Sequence, residues 1–205
     1  MKYEEFRKKV KGVPLISSQY LRLVVDEAQA FKNQVSRWVK TGKLLRLRQG
    51  LYILNEEDRK INPSRLYISK ELYSPSYVSM EFALAFYGLI PERVADITCI
   101  SSKKTAEFQN TFGRFVYQHV QERCYTGFRE MKDDSGLAYY MAVAEKAVVD
   151  FLYLNLHLFK DEFKLRASES FRLQNLETLD KRNLLRYAEL FESHKLMRVV
   201  KEVWR

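Results

Sequence analysis

The sequence predicts an α+β protein, with an N-terminal winged helix-turn-helix followed by a larger mixed α+β domain. Three short helical patterns precede two strand patterns joined by a Gln-Gly turn within the first 55 residues. Most of the excess positive charge lies in the same segment. A polar stretch then separates it from a longer region with both strand and helix patterns. We therefore expect a winged-helix domain over 1–55, a linker over 56–62 and an α+β domain over 63–205.

The composition is that of an ordinary globular protein, since 46% of the 205 residues are hydrophobic and 30% are charged. No apolar run reaches about 18 residues, so we expect no membrane span. The charged N-terminus does not resemble a secretory signal. Cys99 and Cys124 are expected as reduced thiols in a cytoplasmic protein, with a single disulfide as the alternative.

The net charge of +9 is concentrated at the N-terminus. Residues 1–55 contain 12 Lys and Arg against four Asp and Glu, a net of +8, whereas residues 56–205 contain 23 against 22. This distribution is typical of a polyanion-binding module, because cations that neutralise phosphates release condensed counterions. The alternatives are a solubilising basic face or a surface that binds an acidic protein. A membrane-surface helix is disfavoured, since the first 12 residues carry too small an apolar stripe.

Local patterns predict each of the three helices and the hairpin. Apolar residues at helical spacing predict helices over 2–11 and 19–25, separated by a Gly-Val-Pro break. Asp26 is the predicted N-cap of the third helix, which runs to about Thr41. The apolar stripe of this helix consists of Phe31, Val35, Trp38 and Val39. Residues 43–54 then predict two short strands around the Gln-Gly turn.

The third helix would bury its apolar stripe and present its polar side to the major groove of DNA. Asn33 and Gln34 can pair bidentately with adenine, and Arg37 can pair with guanine. The basic and hydroxyl side chains beside them suit phosphates, which set the register of the protein on DNA. The predicted DNA contacts are Lys32, Asn33, Gln34, Ser36, Arg37, Lys40, Lys43, Arg46, Arg48 and Gln49. For each of these residues alone, a solvated surface position is the alternative.

The rest of the chain combines helix and strand patterns. Asn62 as cap and Pro63 in the first turn predict a helix over 64–73. The Asp-Asp-Ser-Gly sequence at 133–136 predicts a hairpin turn, and residues 144–158, apolar nearly all round, predict a buried helix. The further predicted elements are a helix over 79–87, an extended segment over 95–101, strands over 108–112, 114–120, 124–130 and 137–142, and helices over 180–192 and 193–204.

Few patterns for catalysis or metal binding are present. The three histidines are scattered and neither cysteine belongs to a Cys-x-x-Cys pair, so we expect no metal site and no cofactor. The strongest enzyme candidate is a metal-dependent nuclease pattern formed by Asp150 with Glu162-Phe163-Lys164. Such sites normally place their acids on adjacent strands, whereas Asp150 falls in a helical pattern. A nucleic-acid-modifying enzyme that its winged helix targets to DNA is therefore kept as the alternative function.

The predicted buried helix carries three charged residues of interest. Glu145 lies in its first turn, where a carboxylate interacts favourably with the helix dipole. Lys146 and Asp150 are four residues apart, so they can pair on one helix face. Such charges usually have a structural role, and a functional site is the alternative.

Sequence blocks across about residues 30–155 carry a family resemblance. These blocks are Ser36-Arg37-Trp38-Val39, Gly42-Lys43-Leu44, Arg46-Leu47-Arg48-Gln49-Gly50-Leu51-Tyr52, Pro63-Ser64-Arg65-Leu66-Tyr67-Ile68-Ser69, Tyr87-Gly88-Leu89-Ile90-Pro91-Glu92 and Ala144-Glu145-Lys146-Ala147 with Asp150. The last two blocks, in this order, are the most specific, whereas the hairpin block recurs in many regulators. In these blocks the chain resembles the AbiEi-type antitoxin family, bacterial transcriptional repressors of toxin–antitoxin operons.

The resemblance implies a cytoplasmic repressor that binds double-stranded DNA at an inverted-repeat operator of its own operon, through the winged helix. It also implies that the larger domain counteracts a nucleotidyltransferase-like toxin without forming a stable complex. Glu145, Lys146 and Asp150 then become candidates for the antitoxin surface or for the scaffold of that domain. We expect the protein to be a monomer or a weak dimer, without a membrane partner.

Overall fold

The computed structural model describes residues 1–24, 28–159 and 171–203; for residues 28–32 it describes the backbone only. Its N-terminal elements are α1 (Tyr3–Val10), β1 (Ile16–Ser17), α2 (Ser18–Val24), α3 (Ala28–Lys40), β2 (Leu44–Arg48) and β3 (Leu51–Leu54). The three helices and the β2–β3 hairpin thus follow in the predicted order. The predicted cap of α3, Asp26, lies outside the described residues.

The hairpin belongs to a small antiparallel sheet with the strand order β1-β3-β2. Local patterns missed β1, because two residues are too few to show a strand period. At the hairpin turn, Gly50 has φ +77°, and a Cβ built there would lie 2.8 Å from Ser18 Oγ. Only glycine fits this turn without strain or a clash, so the predicted Gln-Gly turn is confirmed.

Buried side chains of α1, α2, α3 and the small sheet form one N-terminal cluster. Its members are Tyr3, Phe6, Val10, Ile16, Leu21, Val35, Trp38, Leu44 and Leu54. Phe6 of α1 stacks on Trp38 of α3 with ring centroids 4.7 Å apart. The predicted stripe of α3 is buried at Val35 and Trp38 and half-buried at Val39, while the side chain of Phe31 lies outside the described part of the chain.

The larger region contains helices and strands in mixed order. The elements are α4 (Arg65–Leu72), β4 (Tyr77–Val78), α5 (Met80–Phe86), β5 (Ile97–Ser101), β6 (Ala106–Asn110), β7 (Gly113–His119), β8 (Phe128–Lys132), β9 (Ala138–Ala142), α6 (Ala144–Leu154), α7 (Lys181–Glu189) and α8 (His194–Val203). Short 3-10 turns lie at Glu122–Cys124, Leu156–Leu158 and Leu176–Thr178. The protein is therefore mixed α+β, as predicted.

Six strands form one mixed sheet with the order β6-β7-β5-β4-β9-β8. Although it has only two residues, β4 lies inside the sheet, antiparallel to β5 and parallel to β9. Every residue of β5 is buried, and residues 146–152 of α6 are buried as well. The sheet and α6 thus contribute to one large core.

Several boundary predictions in the larger region are wrong. The strand predicted over 108–112 spans Ala106–Asn110, and the helix predicted over 180–192 ends at Glu189. The cap of α4 is Ser64 rather than Asn62, since the Ser64 hydroxyl accepts the backbone N–H of Tyr67 at 3.1 Å. The strand predicted over 124–130 begins only at Phe128, because Gly127 at φ +76° interrupts the extended backbone before it. The helix predicted over 144–158 ends at Leu154, where a 3-10 turn follows.

The hairpin connects the two regions. Leu47 and Leu51 belong to the large core, whereas Leu44 and Leu54 at the hairpin base belong to the N-terminal cluster. The Nδ2 of Asn110 in β6 also donates to the Leu47 carbonyl at 3.2 Å. The hairpin therefore packs against both sets of buried side chains. In the described ranges, no helix has the length and apolarity needed to cross a membrane.

Candidate nucleic-acid interface

The outward side of α3 is polar and exposed. Val35 and Trp38 point into the N-terminal cluster, which leaves the other side of the helix to solvent. The exposed predicted contacts of α3 are Asn33, Ser36, Arg37 and Lys40. Gln34 is half-buried, and its side-chain oxygen is buried with no hydrogen bond from the described residues. The side chain of Lys32 lies outside the described part of the structure.

The predicted contacts of the hairpin divide into two groups. Lys43 and Arg46 are exposed, and the Lys43 ammonium lies 4.5 Å from the centroid of the Tyr3 ring. Arg48 instead turns toward the larger region, where its Nε donates to the Leu72 carbonyl at 2.8 Å and its Nη1 to the Gln49 carbonyl at 2.9 Å. Lys43 and Arg46 thus extend the surface of α3, whereas Arg48 and Gln49 lie at the junction of the two regions.

The exposed cations of α3 and the hairpin are open to an external anion. Arg37, Lys40, Lys43 and Arg46 make no ion pair with any carboxylate of the described residues. The described pairs of this part of the chain instead involve Arg7 and Arg59. We call Arg37, Lys40, Lys43 and Arg46 the basic face. An exposed cation without an ion pair is available to neutralise a phosphate and release its condensed counterion.

Asp58, in the predicted linker, fixes α1 beside the hairpin. The Tyr3 hydroxyl donates to Asp58 Oδ2 at 2.5 Å, and Arg7 Nη1 donates to Oδ1 at 2.8 Å. Tyr3 Oη also lies 3.2 Å from the Lys43 carbonyl. Burial raises the pKa of Asp58, but the hydrogen bonds from Tyr3 and Arg7 outweigh burial, so the pKa is lowered. Sequence reasoning missed this carboxylate, because in the sequence it is one of several charges in a polar stretch.

Lys146 and Asp150 form an ion pair that is completely buried, with 0% exposure of both side chains. Asp150 Oδ2 also accepts the hydroxyls of Tyr77 at 3.0 Å and Ser79 at 2.8 Å. The Lys146 ammonium lies 4.8 Å from the centroid of the Phe191 ring. The four polar groups thus satisfy one another between α6, β4 and the start of α5. We call Lys146, Asp150, Tyr77 and Ser79 the buried polar cluster.

The buried polar cluster is part of the scaffold and contributes nothing to the surface. Burial raises the pKa of Asp150, although Lys146, Ser79 and Tyr77 each oppose that rise. Burial also raises the pKa of Tyr77 well above its usual value. Glu145 is half-buried, and its Oε1 accepts the Asp180 backbone N–H at 3.0 Å just before α7. Of the three candidates for an antitoxin surface, Lys146 and Asp150 are therefore inaccessible, and Glu145 is half-buried and bound to the backbone of Asp180, the N-cap of α7.

The nuclease pattern is not brought together in the described residues. Asp150 is enclosed by its lysine and hydroxyl partners, and Glu162 and Lys164 lie outside the described ranges. Within those ranges, no group of three or more His, Cys, Asp and Glu side chains could hold a metal ion. Cys99 and Cys124 are buried free thiols.

No protein-family model matches the chain, and no curated protein matches it.

Proposed function

We propose that the chain is a DNA-binding transcriptional repressor whose residues 1–55 act as a winged helix-turn-helix. The observation that carries this proposal is the exposed polar side of α3, opposite the buried Val35 and Trp38. An α-helix fits the major groove, where Asn33 and Arg37 have the donors and acceptors to read base edges. The order of three helices and a hairpin supports the same interpretation.

Three cations of the basic face would supply the phosphate contacts. Lys40 lies at the C-terminal end of α3, and Lys43 and Arg46 follow in the hairpin base and β2. These cations are exposed and form no ion pair with a carboxylate of the described residues, so each can displace a condensed counterion from the DNA backbone. Asp58 supports this arrangement, since it holds Tyr3 against the Lys43 backbone.

We expect the affinity for duplex DNA to fall steeply with salt. In a fluorescence anisotropy titration, the logarithm of the association constant should decrease linearly with the logarithm of salt concentration. Lys40→Ala or Lys43→Ala should each flatten this slope by about one unit, because each removes one phosphate-neutralising cation. The duplex used should carry the region upstream of the gene.

Lys132→Ala is the matched control for these variants. Lys132 is an exposed lysine on β8, in the larger region, and its loss should leave the slope unchanged. Circular dichroism spectra of all variants should match the wild type. A wild-type slope near zero, or an equal loss of slope in the Lys132 variant, would rule out DNA binding through the basic face.

We further propose, from the resemblance to the AbiEi-type family, that the repressor acts on its own toxin–antitoxin operon. Two copies would occupy the two halves of an inverted repeat. The larger domain would counteract a nucleotidyltransferase-like toxin without a lasting complex. Since Lys146 and Asp150 are buried, this activity would use other residues on the surface, and the buried polar cluster would maintain the domain that presents them.

The proposed antitoxin activity predicts that the chain restores growth to cells that the toxin arrests. Co-expression of the full chain with a nucleotidyltransferase-like protein encoded beside it should restore growth of cells that the toxin alone arrests. Arg37→Ala should rescue equally well, because it removes a DNA contact and leaves the larger domain intact. Colony counts measure the result. Failure of the wild type to restore growth would contradict antitoxin activity. It would not bear on DNA binding, which the salt titration tests separately.

A further inference from the structure

A cleft of about 660 Å³ lies between the hairpin tip and the larger region, and we call it the tip cleft. Arg48 and Gln49 line it from the hairpin, while Glu71 and Tyr73 line it from the end of α4 and Lys103 and Phe108 from the β5–β6 side of the sheet. Its volume falls within the range of about 300–1,000 Å³ that is usual for small-molecule sites. Neither the basic face nor the buried polar cluster includes any of these residues.

Two cations of the tip cleft have no carboxylate partner within the described residues. Arg48 is held by the Leu72 and Gln49 carbonyls, which bind its Nε and Nη1 and leave Nη2 without a hydrogen bond in the described part of the chain. Lys103 also forms no ion pair there. A guanidinium and an ammonium that line one cleft are suited to a phosphate group, since arginine supplies a fork and lysine a point charge.

The position of Lys103 is fixed before any ligand binds. Its backbone N–H donates to Ser101 Oγ at 3.1 Å, and its carbonyl lies 2.9 Å from His119 Nδ1. Its ammonium donates to the Ser74 carbonyl and lies 5.5 Å from the centroid of the Tyr73 ring. A preorganised side chain loses little conformational entropy on binding, so these bonds favour affinity.

The remaining lining adds an aromatic wall and one carboxylate. The Tyr73 and Phe108 rings lie with centroids 6.0 Å apart, and each is half-buried. A flat heterocycle packs well against such rings. Among the described residues, Glu71 has only a 3.7 Å ion pair with Lys70, so its carboxylate can accept hydrogen bonds from hydroxyl or amino groups. Phosphate, flat ring and hydroxyl groups occur together in a nucleotide.

We propose that the tip cleft binds a nucleoside mono- or diphosphate. The phosphate contacts Arg48 and Lys103, and the base packs against Tyr73 and Phe108. A DNA backbone suits this cleft less well, because it would bring its phosphates to the Glu71 carboxylate and leave the aromatic wall without a base. The proposal stands independently of DNA binding by the basic face.

Isothermal titration calorimetry of the full chain tests the proposal with ADP as the probe. ADP should bind in the micromolar range, and adenosine or inorganic phosphate alone should each bind more weakly by about tenfold or more, because each lacks half of the contacts. ADP should also raise the melting temperature in a concentration-dependent way. Absence of ADP binding at millimolar concentration would overturn the proposal.

Lys103→Glu and Lys104→Glu form a matched pair of variants. Both residues are exposed neighbours in one loop, but only Lys103 lines the tip cleft. Lys103→Glu should weaken ADP binding by about tenfold or more, and Lys104→Glu should leave it unchanged. Equal losses in the two variants would show non-specific attraction and overturn the site. If the wild type binds no ADP and Lys103→Glu loses affinity for duplex DNA, the cleft is a DNA contact instead. Melting curves of both variants verify that they fold.

Discussion

Asp150→Asn is expected to destabilise the protein by about 3–5 kcal/mol, because it leaves the Lys146 ammonium buried without a counter-charge. Both side chains have 0% exposure, so water cannot replace the lost carboxylate charge. The amide keeps the size of the side chain, so the effect reports the charge rather than a cavity. Urea unfolding, followed by circular dichroism, measures the change in the free energy of unfolding.

Glu202→Gln is the control with the same spacing and an exposed location. Arg198 and Glu202 are also four residues apart, but their side chains are 68% and 38% exposed. Breaking such a pair should cost about 0–1 kcal/mol, since solvent screens both charges. Combining Lys146→Met with Asp150→Asn should recover part of the stability, because no unpaired charge then remains buried. A cost for Asp150→Asn as small as that of Glu202→Gln would show that the pair is not buried as described.

Phe6→Ala is expected to destabilise the N-terminal cluster by about 3–5 kcal/mol and to weaken DNA binding with it. Phe6 is fully buried and stacks on Trp38, so its ring holds α1 against α3. Truncation leaves a cavity beside the helix that carries the predicted base contacts. Since Trp38 and Trp204 are the two tryptophans of the chain, a Trp204→Phe background makes Trp38 the sole fluorescent tryptophan. Its emission during urea unfolding reports the N-terminal cluster directly.

Phe86→Ala provides the same substitution at an exposed position. Phe86 is 50% exposed at the end of α5, so its truncation should cost much less than that of Phe6. It should also leave the salt dependence of DNA binding unchanged. Equal destabilisation by the two variants, or full DNA affinity in Phe6→Ala, would contradict the structural link between α1 and α3.

The N-terminal elements could be predicted because their signals are local. Helical spacing placed α1 and α3 within two residues of their observed ends, and the Gln-Gly turn located the hairpin. The orientation of the hairpin tip has no local signal. Arg48 reaches the Leu72 carbonyl, 24 residues along the chain, and so a residue assigned to DNA from its charge lies at the junction with the larger region.

The larger region was harder to predict, because its key contacts are distant in sequence. β4 has two residues, and its place in the sheet depends on pairing with β5 and with Met141 of β9. Propensity cannot identify so short a strand, since tertiary pairing alone stabilises it. The strand predicted over 124–130 starts too early, although Gly127 is itself a predicted bend, because local patterns do not show where the pairing of β8 with β9 begins.

The buried polar cluster shows which features the sequence alone determines and which depend on the tertiary structure. The sequence by itself determined that Lys146 and Asp150 could pair, because their spacing places them on one helix face. It also determined where the positive charge is concentrated and which side of α3 is apolar. Only the tertiary structure decided that the pair is buried, since Tyr77 and Ser79 come from 73 and 71 residues away in the chain. Periodicity defines the faces of each element, whereas burial and clefts such as the tip cleft depend on which elements pack together.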